Sequence, residues 1–290
     1  MTLLLELAHS LPWLYFSLVF LFSLMIGSFL NVVIHRLPIM LEREWQAEYH
    51  GYFAPDEEAA APERYNLMVP RSACPHCGHA ITALENIPLL SWIWLKGRCR
   101  DCQAPISARY PLVELLTALL SVAVAMVITP GWGTLAALLL TWVLVALTFI
   151  DLDKMLLPDQ LTLPLLWGGL LFNLASGFVP LADAVIGAMA GYLVLWSLYW
   201  AFKLLTGKEG MGYGDFKLLA ALGAWLGWQA LPIILLLSSL VGAVIGISLI
   251  ALHKHHQGKP IPFGPYLAIA GWIALLWGDT ITHWYLSTLL

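Results

Sequence analysis

The chain has 290 residues, 60% of them hydrophobic and 11% charged, and a mean hydropathy of +0.79. That composition excludes an ordinary water-soluble globular protein. The small net charge of −4 gives no electrostatic reason for a nucleic-acid partner.

The first apolar run covers about residues 12–36 and is long enough for a helix to cross roughly 30 Å of hydrocarbon. Glu6 precedes it, and no Lys or Arg occurs before Arg36. The segment therefore lacks the positive start of a cleaved signal peptide and is expected to stay as a first membrane helix. Further runs at about 110–128, 134–150, 161–177, 182–203, 216–229, 232–252 and 265–288 make about eight spans, of which the sixth is short. Trp13, Trp132, Trp228 and Trp284 stand near span ends, as in an interfacial aromatic belt.

Between the first two spans lies a polar block. Its segment 41–64 is acidic (Glu42, Glu44, Glu48, Asp56, Glu57, Glu58 and Glu63) and reads as a solvated linker. The block also holds the only four cysteines, as Cys74-Pro75-His76-Cys77 and Cys99-Arg100-Asp101-Cys102. Two CxxC knuckles 21 residues apart have the spacing of a tetrahedral four-thiolate zinc site. Four thiolates close the coordination shell, so the zinc expected there, one ion, is structural. Zinc also needs reduced thiols, which points to a reducing compartment. His76 and His79 are spare donors nearby and read as surface residues.

The basic residues set the orientation. Arg36, Arg43, Arg64, Arg71, Lys96, Arg98, Arg100 and Arg109 edge or fill the large loop; Lys154, then Lys203, Lys208 and Lys217, then Lys254 and Lys259 fall in alternate later loops. All 14 are on one side of an eight-span chain, so that side is cytoplasmic and both termini are outside. The expected architecture is an all-α polytopic membrane protein with a small cytoplasmic zinc-ribbon-like domain inserted after the first helix. Residues 1–37 are the first transmembrane helix, 38–109 the four-cysteine domain, and 110–290 a seven-helix membrane domain.

Carboxylates near membrane depth need a reason. Asp183 and Asp279 fall toward the outer face, and Glu114 begins the second span, where it can cap the helix or pair with Arg109. Asp151 and Asp153 follow the apolar run of the third span. Asp159 follows Pro158 and can cap the fourth. Asp215 ends Gly212-Tyr213-Gly214-Asp215 and opens the sixth span at the same face. Two carboxylates at one depth can converge on a water, with one kept protonated, which is the apparatus of an aspartic protease. Gly212 and Gly214 would let a substrate strand come close. Spacing alone does not choose between Asp151 and Asp153.

Four stretches now resemble a known family in order along the chain: Gly27-Ser28-Phe29-Leu30-Asn31 through Arg36-Leu37-Pro38; the double CxxC with Glu85-Asn86-Ile87-Pro88 and Lys96-Gly97-Arg98 between its halves; Asp151-Leu152-Asp153 through Leu157-Pro158-Asp159; and Gly210-Met211-Gly212-Tyr213-Gly214-Asp215-Phe216-Lys217, with Pro262-Phe263-Gly264-Pro265 beyond. They resemble the type IV prepilin peptidases of the bifunctional kind, GxGD-type membrane aspartic proteases that are also N-methyltransferases. The resemblance implies Asp151 and Asp215 as the catalytic pair. It implies cleavage of the basic leader of type IV prepilins and type II secretion pseudopilins at the inner face of the bacterial inner membrane, then methylation of the new N-terminus with S-adenosylmethionine. Anionic lipid headgroups and cytoplasmic acids would hold such a leader. Gly97 and the loop 259–264 are candidates for the methyl-donor site. Ser28 and Asn31 read as helix-packing residues or substrate contacts, and His253, His255 and His256 as interfacial anchors. The alternatives are a peptidase without the second activity, and a non-enzymatic membrane assembly or transport protein with a zinc domain.

Overall fold

The computed structural model describes residues 2–53, 64–175, 177–251 and 261–289. Asp56, Glu57, Glu58, Glu63, His253, Lys254, His255, His256 and Lys259 lie outside the described residues. Ten α-helices are present among those described: α1 (Thr2–Ser10), α2 (Pro12–Phe53), α3 (Leu90–Trp94), α4 (Arg109–Val127), α5 (Trp132–Lys154), α6 (Asp159–Leu174), α7 (Leu181–Thr206), α8 (Tyr213–Leu226), α9 (Leu231–Ala251) and α10 (Gly264–Leu289). There is no strand among the described residues, only two isolated antiparallel bridges. Each of the eight predicted spans falls on a helix. Among the described residues, five segments are long and apolar enough to cross a membrane: Pro12–Phe53, Arg109–Val127, Trp132–Lys154, Leu181–Thr206 and Trp228–Ser248. The chain is a multi-pass, all-helical membrane protein.

The first helix departs from expectation. It does not stop near residue 36 but runs 42 residues, about 63 Å at 1.5 Å per residue. Charge ends the apolar run without ending the helix, because Leu41, Glu42, Arg43, Glu44, Gln46 and Ala47 are good helix formers. Loop residues touch only the start of this extension, which is exposed from Arg43 to Phe53. Arg36 is buried and donates from Nη1 to the Asn66 carbonyl at 2.9 Å, and the Arg43 guanidinium lies 4.3 Å from the Tyr65 ring centroid.

The chain divides into two units, Thr2–Ala125 and Met126–Leu290. In the first, α2 and α4 cross closely: a Cβ on Gly27 would lie 2.7 Å from the Glu114 Cα. Beside that crossing the Asn31 amide donates to the Tyr110 carbonyl at 3.0 Å, which makes Asn31 a packing residue.

In the second unit α8 is the centre. Its 14 residues span only about 21 Å, less than a bilayer core, and from Phe216 to Trp225 every residue but Lys217 is buried. The short sixth span is therefore wrapped by protein. Gly187 and Gly191 of α7 meet α8 backbone to backbone. A Cβ on Gly191 would lie 2.6 Å from the Leu219 carbonyl oxygen, and Gly187 and Gly223 occlude each other in the same way. This is the small-residue contact that lets membrane helices gain dispersion energy and close approach. On its other side α8 is held by Trp225, whose indole donates to the Leu165 carbonyl of α6 at 2.8 Å. α10 is tied to α5 by Trp272, which donates to Thr141 Oγ1 at 3.2 Å. Such packing predicts that Gly223→Leu destabilises the second unit by about 1–3 kcal/mol or more. Gly51→Leu, where a side chain meets nothing within 4 Å, should be silent. Thermal unfolding in detergent followed by circular dichroism checks both.

Candidate active site and metal centre

Asp151 and Asp215 are both buried, with 5% and 7% of their surface exposed, whereas Asp153 is exposed. Burial thus separates two acids that spacing does not. Asp151 lies in the last turn of α5, which ends at Met155 in a left-handed conformation (φ 51°). Asp151 Oδ2 accepts the backbone N–H of Gly264, at the start of α10, at 3.0 Å. Asp215 is the third residue of α8, so its carboxylate lies at the end where the backbone amides of that helix are free. Its Oδ1 is buried with no hydrogen-bond partner. The two carboxylates are within electrostatic range of one another.

Leu157 fixes this geometry. A Cβ on Gly214 would lie 2.7 Å from Leu157 Cβ, and one on Gly264 would lie 3.1 Å from its methyl groups and 2.6 Å from Asp151 Oδ2. Both glycines therefore have a packing reason to lack a side chain: they let the starts of α8 and α10 close around one leucine, with the two acids within electrostatic range of each other. Gly212 has extended backbone (φ −83°, ψ 150°) that any residue adopts, and it caps α8. Lys217 is turned to Asp159, with its Nζ 2.6 Å from Oδ1. The sequence offers loop 259–264 as a cofactor candidate and Pro262-Phe263-Gly264-Pro265 as a stretch resembling the family, but not Gly264 as the partner of Asp151. The available signal was a glycine directly before a proline at a helix start, within a carboxylate-bearing membrane domain.

In the first unit the four cysteines come together, with their sulfurs within 4.8 Å of one another and no disulfide. Cys74 and Cys102 are 3.7 Å apart, and Cys77 and Cys99 are 3.9 Å apart. A tetrahedron with Zn–S bonds of about 2.3 Å has edges of about 3.8 Å. The donor set fits one zinc ion, held by all four.

The two knuckles share one backbone pattern. Cys74 N–H donates to His79 O (2.9 Å), Gly78 N–H to Cys74 O (2.9 Å) and Ile81 N–H to Ser72 O (2.9 Å). Cys99 N–H donates to Ala104 O (2.8 Å), Gln103 N–H to Cys99 O (3.1 Å) and Ile106 N–H to Gly97 O (2.7 Å). The residue after each second cysteine is left-handed, at φ 74° for Gly78 and 59° for Gln103. Gly97 is a turn residue under the Trp92 indole, where a Cβ would meet ring carbon at 2.9 Å.

His79 is more than a surface residue. Its Nδ1 lies 2.8 Å from Asp101 Oδ2 of the second knuckle and its Nε2 3.1 Å from Glu85 Oε2. The Glu85 hydrogen bond raises the His79 pKa above its usual value. Glu85 in turn is held down to about 2, first by the Thr82 backbone N–H and then by His79. His79 thus bridges the second knuckle and the Glu85 turn, with both ring nitrogens on carboxylates.

Compared with known proteins, residues 21–128 match the bacterial peptidase A24 N-terminal domain, and residues 138–247 match the type IV leader peptidase family. The chain is 87% identical over 290 residues, the full length of both, to a prepilin leader peptidase/N-methyltransferase of Aeromonas hydrophila. It is 60% identical over 266 residues, 91% of each chain, to one from Stutzerimonas stutzeri, and 59% identical over 267 residues, 92% of each, to one from Pseudomonas aeruginosa. No solved structure matches it.

The sulfur geometry predicts close to one zinc per chain by elemental analysis, falling to background in a Cys74→Ser/Cys99→Ser double variant. Unchanged zinc in that variant would place the metal elsewhere. Gly78→Ala should weaken the module by about 1–2 kcal/mol, since only the left-handed backbone resists the methyl group. Loss of zinc at a lower chelator concentration measures it.

Proposed function

The chain belongs to the type IV leader peptidase family, and on that premise we propose that it cleaves the leader of type IV prepilins and pseudopilins with Asp151 and Asp215, then N-methylates the new N-terminus. The observation that supports this is the burial of two carboxylates from separate helices within electrostatic range of each other, one on the Gly264 amide and the other with a free Oδ1.

Two adjacent acids in one buried site keep one proton between them. The ionised member takes a proton from a water as the oxygen attacks the scissile carbonyl carbon. The other gives its proton to the carbonyl oxygen. The tetrahedral diol then collapses: the C–N bond breaks, the departing amine takes up the proton gained from water, and a diol hydroxyl returns its proton to the aspartate that had protonated the carbonyl oxygen. Each aspartate returns in a state ready for the next cycle. S-adenosylmethionine, when bound, supplies the methyl group, and the amine must be neutral to accept it.

The end of α5 and the starts of α8 and α10 form one face of the membrane unit. All basic residues fall on that side of an eight-span chain, and the cysteines are free thiols. Both features support the bacterial inner membrane, with the aspartates and the zinc module on the cytoplasmic side. In this reading the segment from about 38 to 109, including the polar end of α2, is the cytoplasmic zinc domain.

Asp151→Asn and Asp215→Asn should each slow leader cleavage by about 10²–10⁴-fold or more while protein level and zinc content stay unchanged. Full cleavage by either variant rejects the pair. Gly264→Ala, which pushes on Asp151 Oδ2, should slow cleavage in the same direction. Mass spectrometry of a prepilin incubated with purified protein, with and without S-adenosylmethionine, reads cut position and added methyl together. A product never heavier by a methyl group would leave a peptidase alone.

A further inference from the structure

The zinc module carries an apolar edge that its own fold does not cover. In α3, Trp92 turns inward, donating from its indole to the Ile106 carbonyl at 3.2 Å. Leu90, Ile93 and Trp94 face out and are 65%, 64% and 82% exposed, and Leu84 just before them is 71% exposed. Together such side chains present an apolar patch of several hundred Å², which soluble modules seldom leave bare.

The level of this edge is fixed by one hydrogen bond. The N–H of Leu89, which leads into α3, donates to Glu114 Oε2 at 2.9 Å. Glu114 is five residues into α4, about 7.5 Å along its axis from Arg109. The outward apolar surface of α4 begins before that point, at Tyr110 and Leu112 (47% and 54% exposed), and continues through Leu115 and Leu119. On a membrane-crossing helix those side chains face lipid. The start of α3 is therefore pinned at a depth that lipid already reaches, and its bare edge continues the lipid-facing surface of α4. Immediately after α3 come Lys96 and Arg98, both exposed, where headgroup phosphates would lie.

We propose that Leu84–Leu95 is an interfacial anchor. Leu90, Ile93 and Trp94 lie in the boundary between headgroups and acyl chains, Lys96 and Arg98 meet anionic headgroups, and the zinc module is seated on the bilayer rather than held away from it. The occupant of this edge is phospholipid. The inference does not depend on the aspartate chemistry.

The test uses the full chain in nanodiscs of phosphatidylethanolamine and phosphatidylglycerol, with p-benzoylphenylalanine at Trp94 or, as control, at Tyr52. Tyr52 is 83% exposed and 16 residues beyond Arg36 on α2, about 24 Å further along the helix axis. On irradiation, position 94 should form phospholipid adducts at least ten-fold above position 52, and Lys96→Glu/Arg98→Glu should cut that yield several-fold. In the unsubstituted chain, a diazirine-bearing phosphatidylglycerol should label residues 84–95 and spare 40–53. Cross-links from position 94 to residues 126–290, to a second copy or to an added prepilin would give the edge a protein occupant and overturn the proposal. Equal lipid adducts at 94 and 52, or no diazirine label on 84–95, would overturn it as well.

Discussion

Burying two carboxylates beside each other is the constraint around which the membrane unit is built. In a low-dielectric interior, the penalty for such groups exceeds anything a few hydrogen bonds return, unless fixed dipoles meet them. The chain supplies backbone amides at helix starts: the amide end of α8 beneath Asp215, and Gly264 N–H at the head of α10 for Asp151. Amides of this kind are already in place, need no counter-ion and leave room for a substrate. The rest of the unit follows from the need to bring three helix ends to one point. α8 is short because it must begin there and is sheathed on all sides; α10 is strapped to α5 by Trp272 and Thr141; and Leu157 fills the space that Gly214 and Gly264 leave.

The zinc module solves a different problem with equally local means. A segment of this size between two membrane helices cannot bury enough apolar surface to hold itself together. Its two knuckles repeat one pattern of three backbone hydrogen bonds, and across them the sulfurs pair at 3.7 and 3.9 Å, close to a tetrahedral edge. His79 then joins the knuckles electrostatically through Asp101 and Glu85. The four-cysteine site and His79 are separate clasps on the same joint: one gathers the sulfurs, the other the carboxylates around them.

Much of this was legible in the chain itself, because membrane helices announce themselves by length and apolarity and four-thiolate sites by spacing. Each predicted span meets a helix, and the four cysteines converge as their CxxC pairs require. The misses share a cause. Helix α2 continues past its apolar part because helicity is local while hydropathy reports only solvent. Spacing leaves Asp151 and Asp153 level and only the family resemblance separates them; in the structure they differ by burial and by the contact of Asp151 with Gly264, 113 residues away. His79 looks like a surface histidine until the second knuckle folds back onto it. In each case hydropathy and short motifs do not carry what decides: local helix propensity for α2, and a partner remote in sequence for Asp151 and His79.

The meeting of α7 and α8 through bare backbone has a consequence for the chemistry at the other end of the helix. Side chains can rotate to absorb a shift, but Gly187 and Gly223 press carbonyl against α-carbon and have nothing to rotate. Helix α8 consequently cannot slide past its neighbour by even one residue's rise. Asp215 is about 12 Å from that contact along a stiff rod. The height at which the carboxylate stands is gauged from the membrane interior, by atoms that never touch a substrate.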